Sequence, residues 1–248
     1  MSQVVDTETA KEFMKETMEK IQEGSLEQLV ADLEVKSQFF QQKLGDPDNI
    51  GKLSKEEVFE ILRYVFCTKR NAKKILDEQV DFDIFKYLMF NLLYDNKPVE
   101  KRFQEFCDKL NVLDVNIRYD LAGEILHYTF PDKYWLWSRW MWDPKVKTGA
   151  MPLVTTEDYS FEAETLGATY LNIGKALIFV HNVGEAAGFQ TISRNLFGTS
   201  VFLSCVYVIY AYTILRMRMT QEFNKVMPGL SEFSRRILGI HRLKPVAN

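Results

Sequence analysis

Nineteen consecutive uncharged residues, Phe197 to Leu215, constrain this chain more than any other feature. At a rise of 1.5 Å per residue such a helix reaches about 28 Å, just enough to cross a bilayer core. It is equally the pattern of a helix covered on all sides by protein. Within it, Thr199, Thr213, Ser200, Ser204 and three tyrosines lower the hydropathy. As a lone span, with the rest of the chain inside, it would place the basic tail outside, against the positive-inside rule. A hairpin with the preceding apolar run, Glu162 to Ala187, would bring Lys175, His181 and Glu185 to membrane depth. Each such charge costs several kcal/mol unless it pairs or lines a cavity. A third arrangement docks the helix on a partner subunit or a membrane face, with the tail as a second contact.

The rest of the chain announces helices. Thr9 to Glu12, Ser25 to Gln28 and Ser54 to Glu57 each have capping-box spacing, in which a hydroxyl and an acid or amide satisfy orphan amides reciprocally. Gly24 and Gly45 follow the first two periodic runs, as helix stops. Asp83 to Tyr94 is apolar on most sides, which predicts a buried helix. Val99, Phe103, Phe106 and Leu110 recur at helical spacing after Pro98. A helix over about 116–128 stops before Pro131. All four tryptophans then fall between Tyr134 and Trp142, and 144–159 reads as a long loop. Pro228-Gly229 breaks the chain ahead of a short basic helix, Ser231 to Leu238. Strand and hairpin signals are sparse.

The net charge of −3 gives no global field that calls for nucleic acid. It conceals an asymmetry: residues 216–248 carry about +5 and residues 1–215 about −8. Cys67, Cys107 and Cys205 lie far apart in apolar-periodic stretches, the usage of buried free thiols in a reducing compartment. The first twenty residues are charged and lack the apolar core of a signal peptide. These features predict a cytoplasmic protein, in one arrangement at the inner face of a membrane.

Asp46-Pro-Asp-Asn-Ile-Gly-Lys-Leu-Ser-Lys-Glu-Glu57 is flanked by helical runs. Asp46 and Asp48 stand where a twelve-residue calcium loop places its first two carboxylates. Gly51 stands at the turn, Ser54 at the ninth position and Glu57 at the bidentate twelfth. The segment resembles the calcium loop of the EF-hand family, which implies a site on Asp46, Asp48 and Glu57. It departs from the pattern at Ile50, which replaces a side-chain ligand, and at Pro47, which stiffens the loop start. The plain alternative is a turn with a capping box at Ser54, which needs no metal.

Glu124 and His127 stand at i, i+3, and His181 and Glu185 at i, i+4. Carboxylate–imidazole pairs of this kind serve di-iron bundles, or simply anchor a core histidine. No nucleophile elbow, phosphate-binding glycine loop or zinc-ligand spacing occurs.

The fold expected is all-α: a multi-helix domain with a long aromatic-flanked loop and a very apolar C-terminal helix. An acidic helical region spans 1–115, and a second helical region spans 116–248. The expected function is a non-catalytic accessory or interaction subunit of a larger assembly. In this reading Trp135, Trp137, Arg139, Trp140 and Trp142 present a protein-partner surface, and Arg235 and Arg236 add an electrostatic contact. A membrane surface is a further candidate contact. Two alternatives are a metal-dependent helical enzyme on the Glu/His pairs, and a nucleic-acid-binding helical protein using the tail and the tryptophans. The sequence assigns no cofactor.

Overall fold

The computed structural model describes residues 4–21, 24–188, 190, 192–218 and 229–241. Among them the secondary structure is helical, with isolated β-bridges and no strand. The protein is an all-α fold, as the sequence predicts. The described residues form two compact units, one drawn from 1–33, 140–159 and 176–242, the other from 34–139 and 160–175. The expected boundary near residue 115 is therefore displaced. Composition shifts there, but α7 (Val99–Lys109) and α8 (Val115–Thr129) pack on one another across it.

The first unit holds α1 (Thr7–Lys20), α10 (Gly184–Ala187), α11 (Leu196–Arg218) and α12 (Leu230–Ile237). Its helix starts depend on short polar side chains. Asp6, not Thr9, caps α1: its carboxylate accepts from Thr9 N at 3.0 Å and from Thr9 Oγ1 at 2.7 Å. A carboxylate placed three residues ahead of Thr9 takes the amides first. Val5 bridges to Thr155, with Asp6 N donating to Val154 O and Thr156 N to Val4 O.

The apolar run is a single helix, α11, packed against α1 and α12. Among the described residues its stretch Leu196–Ile214 is the one helix long and apolar enough to cross a membrane, and 67% of it is buried inside the protein. Val201 to Val206 are all buried. Burial in protein thus accounts for most of this helix's apolar surface. Ring contact of Tyr212 with Phe233 and the approach of Cys205 Sγ to Ser234 Oγ tie it to α12.

The long loop is not a projecting surface. Ala150 N donates to Trp140 O and Met151 N to Met141 O, and Ala150, Met151 and Val154 are buried. These main-chain bonds fold its middle back onto the segment that precedes it, while residues 145–148 remain exposed.

The second unit contains the later residues of α2 (Ser25–Leu44), then α3 (Pro47–Ile50), α4 (Lys55–Tyr64) and α5 (Ala72–Lys74), which runs into a π-turn over Ile75–Gln79. It continues through α6 (Phe82–Tyr94), α7 and α8. The Ser54–Glu57 capping box forms as spaced, and Asp81 caps α6 by accepting from Ile84 N at 2.9 Å. Helix α8 is the centre: every residue from Tyr119 to Thr129 is buried. Helix α9 (Leu166–Asn182) contributes its residues up to 175 to this unit, and it begins four residues later than the apolar periodicity suggests.

Candidate functional site

Helix α8 buries charge. Asp120 and Glu124 lie one turn apart on it, with His127 and Tyr128 a turn further on, and all four are buried. Lys36 of α2 is also wholly buried, and its ammonium donates to Glu124 Oε2 at 2.6 Å. The other oxygen, Oε1, accepts from Phe66 N at 3.2 Å. Lys36 also sits over the Tyr128 ring at 3.9 Å. Burial pushes the Lys36 ammonium below and the Glu124 carboxyl above their ordinary ranges, and their mutual attraction opposes both shifts. Asp120 accepts from Arg139 N at 2.6 Å and from Arg139 Nε at 3.2 Å. Burial still pushes its carboxyl up to about 7, although Arg139 pulls it down. Cys67 lies near both carboxylates, and burial raises its thiol well above the ordinary value.

These groups are bonded to one another and to the main chain. Lys36 and Phe66 N take the two oxygens of Glu124, while His127 Nδ1 donates to Tyr134 O at 2.9 Å. The carboxylate and imidazole that the sequence pairs at i, i+3 thus serve different partners. His181 belongs to the other unit and is hydrogen-bonded through Nδ1 to Thr199 Oγ1 at 2.7 Å. The Glu185 side chain lies outside the described residues. No group of three or more His, Cys, Asp or Glu side chains stands at metal-binding distance among the described residues.

The buried groups carry a pH prediction. Asp120 rises from an unfolded value of about 3.9 to about 7 in the fold, so the native state holds its proton between those limits and stability falls as pH rises through them. Burial lowers His127 from 6.5 to about 4, so the native state there binds fewer protons and stability rises with pH over about 4–6.5. The two slopes oppose each other. Asp120→Asn should make the dependence of unfolding free energy on pH more positive than in wild type, and His127→Gln more negative. Each change should be on the order of 1 kcal/mol per pH unit between pH 4.5 and 6. Denaturant titrations across that range check it, and parallel profiles for all three proteins would contradict it.

Most of the tryptophan window is interior, although Trp135 is only half-buried. In the second unit five rings stack in a column: Tyr119 on Trp137 at 4.4 Å, Trp137 on Phe103 at 5.6 Å, Phe103 on Tyr170 at 4.4 Å and Tyr170 on Trp135 at 5.0 Å. Trp135 Nε1 donates to Tyr170 O at 2.9 Å. Two glycines make room: a Cβ on Gly123 would collide with the Trp137 backbone, and one on Gly174 with the Trp135 indole. In the first unit Trp140 and Trp142 are buried as well. The expectation that this window presents aromatic surface is corrected: its rings complete the cores, and Arg139 is held by Asp120.

Of the remaining sequence candidates, Asp48 is exposed and the others are engaged. Asp46 caps α3 by accepting from Asp48 N at 2.9 Å. Glu57 pairs with Lys43 Nζ at 2.6 Å and closes the Ser54 capping box. Its two oxygens are therefore held at the start of α4, and the turn follows the plain capping arrangement. Arg235 is ion-paired with Asp32, and Arg236 with Glu232. Arg242 and Lys244 lie outside the described residues.

The surface feature that sequence reasoning missed is on α6. Phe85, Leu88, Met89, Leu92 and Leu93 are buried, as predicted. Ile84, Tyr87 and Phe90, at i, i+3 and i+6, are exposed by 58%, 64% and 38%. The helix is apolar on both faces but is covered on only one. The signal in the run itself was faint: Asp83, Lys86 and Asn91 share the outward side with these three apolar residues.

No protein-family model, curated protein or solved structure matches this chain. The site therefore rests on its own geometry.

Proposed function

We propose that the protein is a non-catalytic helical interaction subunit that docks a protein partner on the outer face of α6. One observation carries this reading: the exposed stripe of Ile84, Tyr87 and Phe90 on a helix whose opposite side is core. It exposes on the order of 350 Å² of mostly apolar surface, a size at which such patches on monomers are often functional. The rest of the candidate chemistry supports the same view, because Lys36, Glu124, Asp120 and Arg139 are paired with one another inside the unit.

The test compares wild-type protein with the double variant Tyr87→Ser, Phe90→Ser as bait in the source extract. Both substitutions lie on the exposed side, so the thermal midpoint should fall by only a few degrees. A stoichiometric partner retained by wild type and reduced at least about tenfold on the variant is expected, which corresponds to about 1.4 kcal/mol of lost binding. Equal retention of every bound protein by both baits would end this reading.

A further inference from the structure

The chemistry around α6 says more about what covers it. Helix α3 runs alongside α6, held at two points: Lys86 Nζ donates to Gly51 O at 3.1 Å, and Tyr94 OH donates to Leu44 O at 2.5 Å. Those anchors bracket α3, so Asp46 and Asp48 border the Phe90–Tyr94 end of the stripe, and both are exposed. At the other end stand Asp81 and Asp83, also exposed. Two lysines belong to these elements, Lys52 beside Gly51 and Lys86 on α6 itself. Lys86 is 15% exposed at its side chain, is paired with Asp83 and is bonded to the Gly51 carbonyl, so its charge is largely engaged. Four carboxylates thus edge an aromatic face against two lysines, one of them paired with Asp83, which leaves Asp46, Asp48 and Asp81 against Lys52 and a local excess of negative charge.

We infer that this face binds a basic amphipathic helix of a partner protein, with apolar anchors on Tyr87 and Phe90 and Lys or Arg side chains reaching Asp46, Asp48 and Asp83. The inference rests on the docking role proposed above and names the partner's chemistry. Aromatic faces attract a guanidinium or ammonium through the ring quadrupole, and carboxylates at the edge add charge-assisted hydrogen bonds. From Ile84 to Phe90 the stripe runs about 9 Å along the axis, room for the two successive anchors of an i, i+3 or i, i+4 pair. A second copy of this chain fits poorly. A stable symmetric interface buries about 800 Å² per partner, more than twice this stripe, and would bring acidic edges together. Nucleic acid and anionic lipid are repelled by the same carboxylates.

The test is selection of a phage-displayed library of helical 16-residue peptides on the full-length protein, followed by binding measurements on synthesised winners. Winners should carry net positive charge, with Lys or Arg flanking two apolar anchors. Tyr87→Arg should weaken them about tenfold or more. Asp46→Asn, Asp48→Asn should weaken them several-fold, with a reduced salt dependence. Tyr87→Arg keeps a good helix former on an exposed site, and circular dichroism of each variant confirms that it folds. Neutral or acidic winners that still depend on Tyr87 and Phe90 would overturn the assignment of a basic partner and leave the docking role standing. Winners indifferent to Tyr87→Arg and Phe90→Ser, or no winners at all, would overturn both.

Discussion

Glu124→Leu lowers the unfolding free energy by about 3–5 kcal/mol, the cost of leaving one member of a buried ion pair without its partner. Lys36 is fully enclosed, and its ammonium has the Glu124 carboxylate at 2.6 Å and the Tyr128 ring at 3.9 Å. Removing the carboxylate leaves the ammonium in low dielectric without its counter-charge, and also frees Phe66 N of its acceptor. The protein then unfolds or releases the proton from Lys36. The companion double variant, Lys36→Met with Glu124→Leu, should recover most of the loss, because apolar side chains of similar volume need no desolvation of charge. Equilibrium denaturation of the three proteins decides it. A loss under about 1 kcal/mol in the single variant would mean that water reaches the pair. A double variant as unstable as the single would mean that the pair itself, not the orphaned lysine, supplies the stability.

The second large effect is expected at Trp137. Its truncation to Ala should cost about 3–5 kcal/mol, the range for removing a fully buried large aromatic. Trp137 is the second ring of the five-ring column, between Tyr119 and Phe103, so the cavity opens where rings on both sides lose their stacking contact. The backbone at 137 lies against Gly123, so the main chain is held there and the site has little freedom to collapse. Trp137→Phe should recover about half of the loss by keeping one ring in the column. Thermal and denaturant unfolding measure both. Near-wild-type stability of Trp137→Ala would show that the column is loosely packed.

Helix positions were legible where local chemistry sets them. Ser54 and Glu57 cap α4 as spaced, and Pro98 opens α7. The uncharged run is one helix over Leu196–Arg218. These follow from side-chain-to-backbone bonds within four residues and from period 3.6, both of which a linear sequence displays. Capping by Asp6 shows the limit even locally, since Asp6 and Thr9, three residues apart, compete and the better-placed carboxylate wins.

The candidate site was much less legible. The pairing of Lys36 with Glu124 joins residues 88 apart, and the ring column joins Trp135 to Tyr170 across 35. Nothing in periodicity foretells such contacts. The tryptophans read as a surface because four large rings crowd nine residues, and only the facing Gly123 and Gly174 reveal the space that takes two of them inside. Helix α6 failed in the opposite sense. Its apolar residues cover nearly the whole circumference, and a pattern of that kind predicts burial without saying how many neighbours exist to supply it.

By itself, then, the sequence determined an all-helical chain, most of its helix limits and an apolar helix long enough for a bilayer. Those properties reside in local hydrogen bonding and in composition. The tertiary structure decided which apolar surface is covered. It buries two-thirds of Leu196–Ile214, encloses Lys36, Trp137, Trp140 and Trp142, and leaves Ile84, Tyr87 and Phe90 in water. Burial depends on what packs opposite a residue, and that is a property of distant chain segments brought together.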